Sequence, residues 1–224
     1  KGKYKVTVTD ANGCVKTETY TITEPTALSI NEVQTNVACK GQSNGEINIT
    51  VDGGTFNYSY AWTQSGTGSG VVAGDEDQIG LTAGTYTVVA TDQNGCEITK
   101  EYIITEPDVL TIEGKPLEYK GPNVFNISCN GANDGEIDIT VSGGTSGYTY
   151  AWTQSGTASG VVAGDEDQTG LGPGSYTVVA TDQNNCTIEA SYIITEPEKI
   201  DFTAELSNYN GVNIKFSGGS DGTI

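Results

Sequence analysis

One stretch of this chain occurs three times with identical spacing: Gly2–Cys14 (GKYKVTVTDANGC), Gly84–Cys96 (GTYTVVATDQNGC) and Gly174–Cys186 (GSYTVVATDQNNC). In the first copy Tyr4, Val6 and Val8 alternate with Lys3, Lys5 and Thr7. That period of two suits a half-buried β-strand and is useless to a helix. The Asp-x-Asn-Gly/Asn that follows supplies residues tolerant of positive φ, so each strand should end in a tight hairpin. A chain built on this stretch must be β-rich and repetitive.

The repeat extends well beyond the hairpin. Cys39–Pro107 laid over Cys129–Pro197 matches at roughly fifty of 69 positions without a gap. Thr-Glu-Pro closes each unit at Pro25, Pro107 and Pro197. Residues 1–25 therefore read as the last two strands of a preceding copy, 26–107 and 108–197 as complete copies, and 198–224 as the start of another. The second copy carries extra residues around GKPLEYKGPN, a lengthened first strand or linker.

About seven strands are expected per copy. In the first they fall near Leu28–Val37, Glu46–Val51, Tyr58–Thr63, Val71–Val72, Gln78–Leu81, Thr85–Asp92 and Cys96–Thr105. Ile47, Ile49 and Val51 should face inward, with Glu46, Asn48 and Thr50 outward. Short strands punctuated by Gly-Gly and Asn-Gly argue for sandwiches. Leu81-x-x-Gly84-x-Tyr86 and Leu171-x-Pro173-Gly174-x-Tyr176 resemble the tyrosine corner of immunoglobulin-like sandwiches, in which a tyrosine bonds back to the preceding turn. Tyr4, Tyr86 and Tyr176 are thus expected as structural residues. Trp62 and Trp152 read as the large core residue of the third strand, with a stacking platform for a sugar as the alternative. The fold expected is all-β, tandem immunoglobulin-like β-sandwich repeats arranged as a rod.

Charge narrows the partners. Ten Lys plus Arg stand against 29 Asp plus Glu, a formal net charge of −19. Such a surface repels nucleic acid and anionic lipid; it suits a soluble, self-repelling protein or one that attracts divalent cations. No apolar run approaches the roughly 20 residues of a membrane span.

The order CxGxxxGEIxITVxGGTxxYxYAWTQSG, then LxxGxYTVVATDQNxCxI and TEP, resembles the SprB repeat. That module recurs in the very large surface adhesin of gliding Bacteroidota and in related outer-surface proteins. The resemblance implies an extracellular protein at the outer cell surface, exported by the type IX secretion system. It implies a filament that adheres to surfaces and polysaccharide while the cell moves. The partners implied are adjacent repeats, surface polysaccharide, and gliding and secretion machinery reached through other parts of the parent.

Five cysteines at fixed points of the repeat suggest disulfides in an oxidising compartment. The obvious pairing is within repeats, Cys39–Cys96 and Cys129–Cys186, with Cys14 left over. In immunoglobulin order, however, the end of the first strand and the hairpin before the last lie at opposite ends of the sandwich. Bridged Cα atoms must lie within about 7 Å. A link between successive repeats, Cys39 with Cys186, would satisfy that order, and free thiols are the third alternative. Phe216 stands where Cys39 and Cys129 stand, so the last copy lacks half of any bridge.

Ala61–Gln78 (AWTQSGTGSGVVAGDEDQ) recurs as Ala151–Gln168 with one change. A loop repeated so closely hints at a shared role or recent duplication. Its acids, Asp75, Glu76 and Asp77 with Asp165, Glu166 and Asp167, could supply oxygen ligands to calcium, the one cofactor weighed. Calcium needs six to eight oxygens and the EF-hand spacing is absent, so a solvated acidic loop is the plainer reading. The junction acids Glu106, Asp108, Glu196 and Glu198 could serve a cation between domains, and Asp92-x-Asn94 reads as a turn former. The chain has no histidine, no Ser-His or Cys-His pair and no glycine-rich strand-to-helix loop, and an enzyme is not expected. The sequence therefore points first to a structural and adhesive stalk segment, with a calcium- or glycan-binding module acting through the acidic loop as the alternative.

Overall fold

The computed structural model describes residues 1–119, 123–156, 158–213, 217–220 and 222. Phe216, Thr157 and part of the lengthened linker (120–122) lie outside the described residues. The described residues form fourteen strands and no helix. They divide into two compact units. The first is Lys1–Thr111 with Ser142–Gly147 and Asp182–Cys186; the second is Ile112–Val141, Tyr148–Thr181 and Thr187–Ile224.

The first unit opens with a hairpin, β1 (Gly2–Thr9) and β2 (Val15–Ile22), paired antiparallel with Tyr4 opposite Tyr20. The complete copy follows as β3 (Ser29–Thr35), β4 (Gly45–Asp52), β5 (Ser59–Ser65), β6 (Gln78–Leu81), β7 (Gly84–Thr91) and β8 (Glu97–Ile104). These make two three-stranded sheets, ordered β3-β4-β6 and β5-β7-β8. That is the immunoglobulin-like arrangement, in which consecutive strands are dealt to two sheets and the penultimate strand lies central in one of them.

Alternation decides what the sheets bury. Along β4 the side chains of Ile47, Ile49 and Val51 are buried, whereas Glu46, Asn48 and Thr50 are not. From the other sheet Trp62, Tyr86, Val88, Ala90, Tyr102 and Ile104 join the same cluster. Fully burying one large apolar side chain is worth roughly 1.5–3 kcal/mol, so this inner layer is the main stabilising term. A one-residue slip in β4 would turn the whole inner set to solvent.

The second copy repeats the pattern with β9 (Thr111–Pro116), β10 (Gly135–Ser142), β11 (Thr149–Ser155), β12 (Gln168–Leu171), β13 (Gly174–Thr181) and β14 (Thr187–Ile194), in sheets β12-β10-β9 and β11-β13-β14. Its inward residues Ile137, Ile139, Val141, Trp152, Tyr176 and Val178 are buried.

Two expectations need correction. Among the described residues each copy has six strands rather than about seven, because Val71–Val72 forms no strand. Tyr4, in register with Tyr86, is 54% exposed while Tyr86 is 0% exposed. A lone hairpin offers no second sheet to bury against, so Tyr4 holds no corner in the described residues.

The hairpin turns form as the sequence predicts. Asp92 Oδ1 accepts from the backbone N–H of Asn94 (2.9 Å) and Cys96 (2.8 Å), and Oδ2 accepts from Thr55 N–H at 2.8 Å. Gly95 takes φ +81° and its counterpart Asn185 takes φ +65°, the left-handed region that glycine and asparagine tolerate.

Candidate functional site

The recurring Ala61–Gln78 segment is held by its own side chains. Gln78 is 1% exposed and takes the place of a neighbouring strand. Its Oε1 accepts from Val72 N–H at 2.7 Å, and its Nε2 donates to the carbonyls of Val72 (3.0 Å) and Asp75 (3.3 Å). Trp62 Nε1 donates to the Asp75 carbonyl at 2.9 Å. The second copy repeats each bond: Val162 N–H to Gln168 Oε1 at 2.7 Å, Gln168 Nε2 to Val162 and Asp165 carbonyls at 3.0 and 3.2 Å, and Trp152 Nε1 to Asp165 at 2.9 Å. A backbone amide and carbonyl at Val72 that would otherwise need a strand partner are satisfied by one buried amide side chain.

The three acids of the segment face different partners. Asp77 Oδ1 accepts from Ile49 N–H at 2.8 Å, and Asp167 Oδ1 from Ile139 N–H at 2.9 Å. The carboxylates of Glu76 and Glu166 lie beside the hydroxyls of Tyr60 and Tyr150. Burial, then those carboxylates, raise both phenols, Tyr150 to about 12. Asp75 and Asp165 contribute their backbone carbonyls to the tryptophan and glutamine bonds. Among the described residues no group of three or more Cys, Asp or Glu is arranged to hold a metal ion.

The tryptophans are core residues: Trp62 packs on Tyr102 and Trp152 on Tyr192, ring centroids 5.9 and 6.3 Å apart. Tyrosine corners are present in both complete copies. Tyr86 Oη accepts from Ser69 N–H at 3.0 Å and lies 2.7 Å from the Thr82 carbonyl and 2.9 Å from that of Ser69. Tyr176 does the same with Ser159 and Gly172. The corner needs glycine at its base, since a Cβ on Gly84 would lie 2.3 Å from Gly68 Cα.

The cysteines correct the obvious pairing. Cys39 is bonded to Cys186 with Cα atoms 5.7 Å apart, and Cys14, Cys96 and Cys129 are free and exposed. Neither intra-repeat bridge forms, because strand order puts the two cysteines of one sandwich at opposite ends. The bridge brings the start of copy 26–107 to the β13–β14 turn of the next copy, and both cysteines belong to the first compact unit. Beside it Asn184 Nδ2 donates to the Ala38 carbonyl at 3.1 Å.

Sequence reasoning missed the seat around Cys39. Glu106 of Thr-Glu-Pro accepts from Gly41 N–H (2.6 Å) and Lys40 Nζ (2.6 Å), and these two donors hold its carboxyl below the usual range. Asn44 Oδ1 accepts from Ala38 N–H at 3.0 Å. The junction acid is thus spent on the loop that carries the cysteine. Its recurrence 67 residues after each N-terminal cysteine (39 to 106, 129 to 196) was the available signal.

Residues 31–67 and 122–157 match the SprB repeat family. Two segments, one in each complete copy, thus carry the SprB repeat. No curated protein matches the chain. Among solved structures, the N-terminal eight immunoglobulin domains of Down syndrome cell adhesion molecule isoform 1.30.30 are similar at 13% identity and TM-score 0.44, over 88% of this chain and 28% of that one. The C-terminal 282-residue fragment of intimin, solved with the intimin-binding domain of its translocated receptor, gives 19% identity and TM-score 0.38, over 78% and 64% of the two chains. Extracellular domains 3–5 of Drosophila OTK give 13% identity and TM-score 0.39, over 88% and 71%. The chain therefore spans less than two thirds of the first two. Strand order and register establish the sandwich independently of these loose likenesses.

Proposed function

We propose that this chain is a spacer segment of a secreted cell-surface adhesin, contributing length, covalent continuity and negative charge rather than chemistry. The observation that carries this reading is the SprB repeat in both copies. Three features agree with it. In the recurring acidic segment the Asp77 and Asp167 carboxylates and the Asp75 and Asp165 backbone carbonyls have structural uses. A disulfide joins successive repeats, as suits an oxidising exterior. The formal charge of −19 keeps such a surface soluble and unsuited to nucleic acid or anionic lipid. Gliding motility in a Bacteroidota bacterium and type IX export are the setting that the SprB resemblance suggests. A non-enzymatic role follows from the same reading.

The test is a pair of substitutions, Asp75→Asn with Asp165→Asn, which leave the backbone carbonyls and Asp77 in place. Cells displaying the chain should adhere to polysaccharide-coated glass as the parent does. The melting temperature of the purified chain should move by no more than about 1 °C between excess calcium and chelator, since a ligand that binds only the native state must raise it. A rise of several degrees with calcium, lost in the double variant, would replace the spacer reading with a calcium-binding one.

A further inference from the structure

Cys39 and Cys129 sit in seats of the same build, and only one is filled. At the second seat Gly131 N–H donates to Glu196 Oε2 at 2.6 Å, as Gly41 N–H does to Glu106. Ser128 N–H donates to Asp134 Oδ1 at 3.1 Å, matching Ala38 and Asn44. Ala132 N–H closes on the Cys129 carbonyl at 3.0 Å, as Gln42 N–H does on Cys39 at 3.1 Å. The first seat holds the turn Asp182–Cys186 through a disulfide and the Asn184–Ala38 bond. At the second, Cys129 is exposed with a free thiol.

The complementary half is also present and unused. The turn Asp92–Cys96 is built like Asp182–Cys186: the aspartate accepts from the asparagine and cysteine N–H groups at 2.9 and 2.8 Å in both, and the asparagine Nδ2 donates to Thr55 Oγ1 at 2.8 Å or Thr145 Oγ1 at 2.9 Å. Asp10 holds Asn12 and Cys14 likewise, at 3.0 and 2.8 Å. Cys14 and Cys96 are free and exposed.

We propose that the Cys129 seat is a docking site for the Asp-x-Asn-x-Cys turn of another repeat of this kind, and that a second copy of this chain supplies it through Cys14 or Cys96. The filled seat at Cys39 identifies the occupant, because a turn of this sequence already occupies its counterpart. The bond forms by exchange with a small disulfide such as oxidised glutathione. One protein thiolate attacks it and releases one glutathione thiolate; the second protein thiolate attacks the mixed disulfide and releases the other. Two protein thiols are oxidised and one glutathione disulfide is reduced to two thiols.

The experiment incubates the full chain with a glutathione redox buffer, then combines non-reducing electrophoresis with peptide mapping. Expected are linked dimers and longer species in which Cys129 is joined to Cys14 or Cys96 of another molecule, with Cys39–Cys186 intact throughout. Cys129→Ser should abolish the linked species while leaving Cys39–Cys186 unchanged, and Glu196→Ala should slow linkage several-fold with the thiol still present. Absence of linkage would overturn the proposal. So would a random mixture rich in Cys129–Cys129 or Cys96–Cys96, or linkage indifferent to both substitutions.

Discussion

Tyr86 and Tyr102 lie opposite each other on β7 and β8, and their hydroxyls meet different fates. The Tyr86 hydroxyl is fully engaged in the corner with Ser69 and Thr82. The Tyr102 hydroxyl is buried with no hydrogen-bond partner among the described residues, and burial, then the charge of Glu32, push it up to about 12. An unmade bond in the interior costs about 1–3 kcal/mol. Tyr86→Phe should therefore lose about 1–3 kcal/mol in urea unfolding, whereas Tyr102→Phe should lose nothing or gain up to about 1 kcal/mol; equal losses would contradict the assignment. The turn aspartates set an acid limit. Backbone N–H groups of Cys96 and Thr55, then Asn94, hold Asp92 below the ordinary carboxylate range despite its burial. At Asp182 burial pushes upward, yet the N–H groups of Thr145, Cys186 and Asn184 bring the net shift below the ordinary value. A folded-state value below the unfolded one means stability that is present above about pH 4 and is lost as pH falls through the folded value. The urea midpoint should decline below about pH 4, and less steeply after Asp92→Asn and Asp182→Asn. Parallel decline in parent and variant would exclude these groups.

Among the elements, the short β6 and the segment before it show how far alternation can be read. The inward and outward residues of β4 and β7 were legible because each side chain has one of only two faces to choose. Val71–Val72 looked like a strand from its two β-branched residues, but a strand also needs a backbone partner. Here Gln78 supplies those bonds instead. The visible trace was an inward glutamine preserved in both copies; local propensity says nothing about what its amide reaches. Gln78→Ala should cost about 1–3 kcal/mol, from the several bonds lost with this buried amide. Gln78→Glu should cost at least as much at neutral pH, since a carboxylate would face the Val72 and Asp75 carbonyls with no proton to donate. Guanidinium unfolding of both variants decides it, and a loss under about 0.5 kcal/mol for alanine would show the bonds to be dispensable.

For the whole molecule the cysteines were the least legible feature. Their positions in the repeat fixed which residues could pair, and strand order argued against pairing within one sandwich. Choosing the partner required the distance between Cys39 and Cys186, which no local pattern encodes. The acids of Asp75–Asp77 were half legible: their charge was plain in the sequence, while the backbone partner of Asp77 appears only on folding. On the chain-entropy account, a bridge across a sequence separation of 147 contributes about 5 kcal/mol. Reduction, or Cys39→Ser, should lower the main melting transition by roughly 10 °C. A shift under about 2 °C would mean that the closed loop adds little to stability.

The same bond fixes how load passes along the chain. Pulled from its two ends, the polypeptide transmits tension along β3 to Cys39, across the sulfur atoms to Cys186, and out through β14. Strands β4 to β13 lie off that line. Force can peel β3 from β4 and β14 from β13, but the segment between the two cysteines extends only after the disulfide is reduced, and roughly 500 Å of contour, at about 3.5 Å per residue, stays in reserve until then. A single covalent bond therefore makes most of this chain a store of slack released by redox chemistry rather than by pulling.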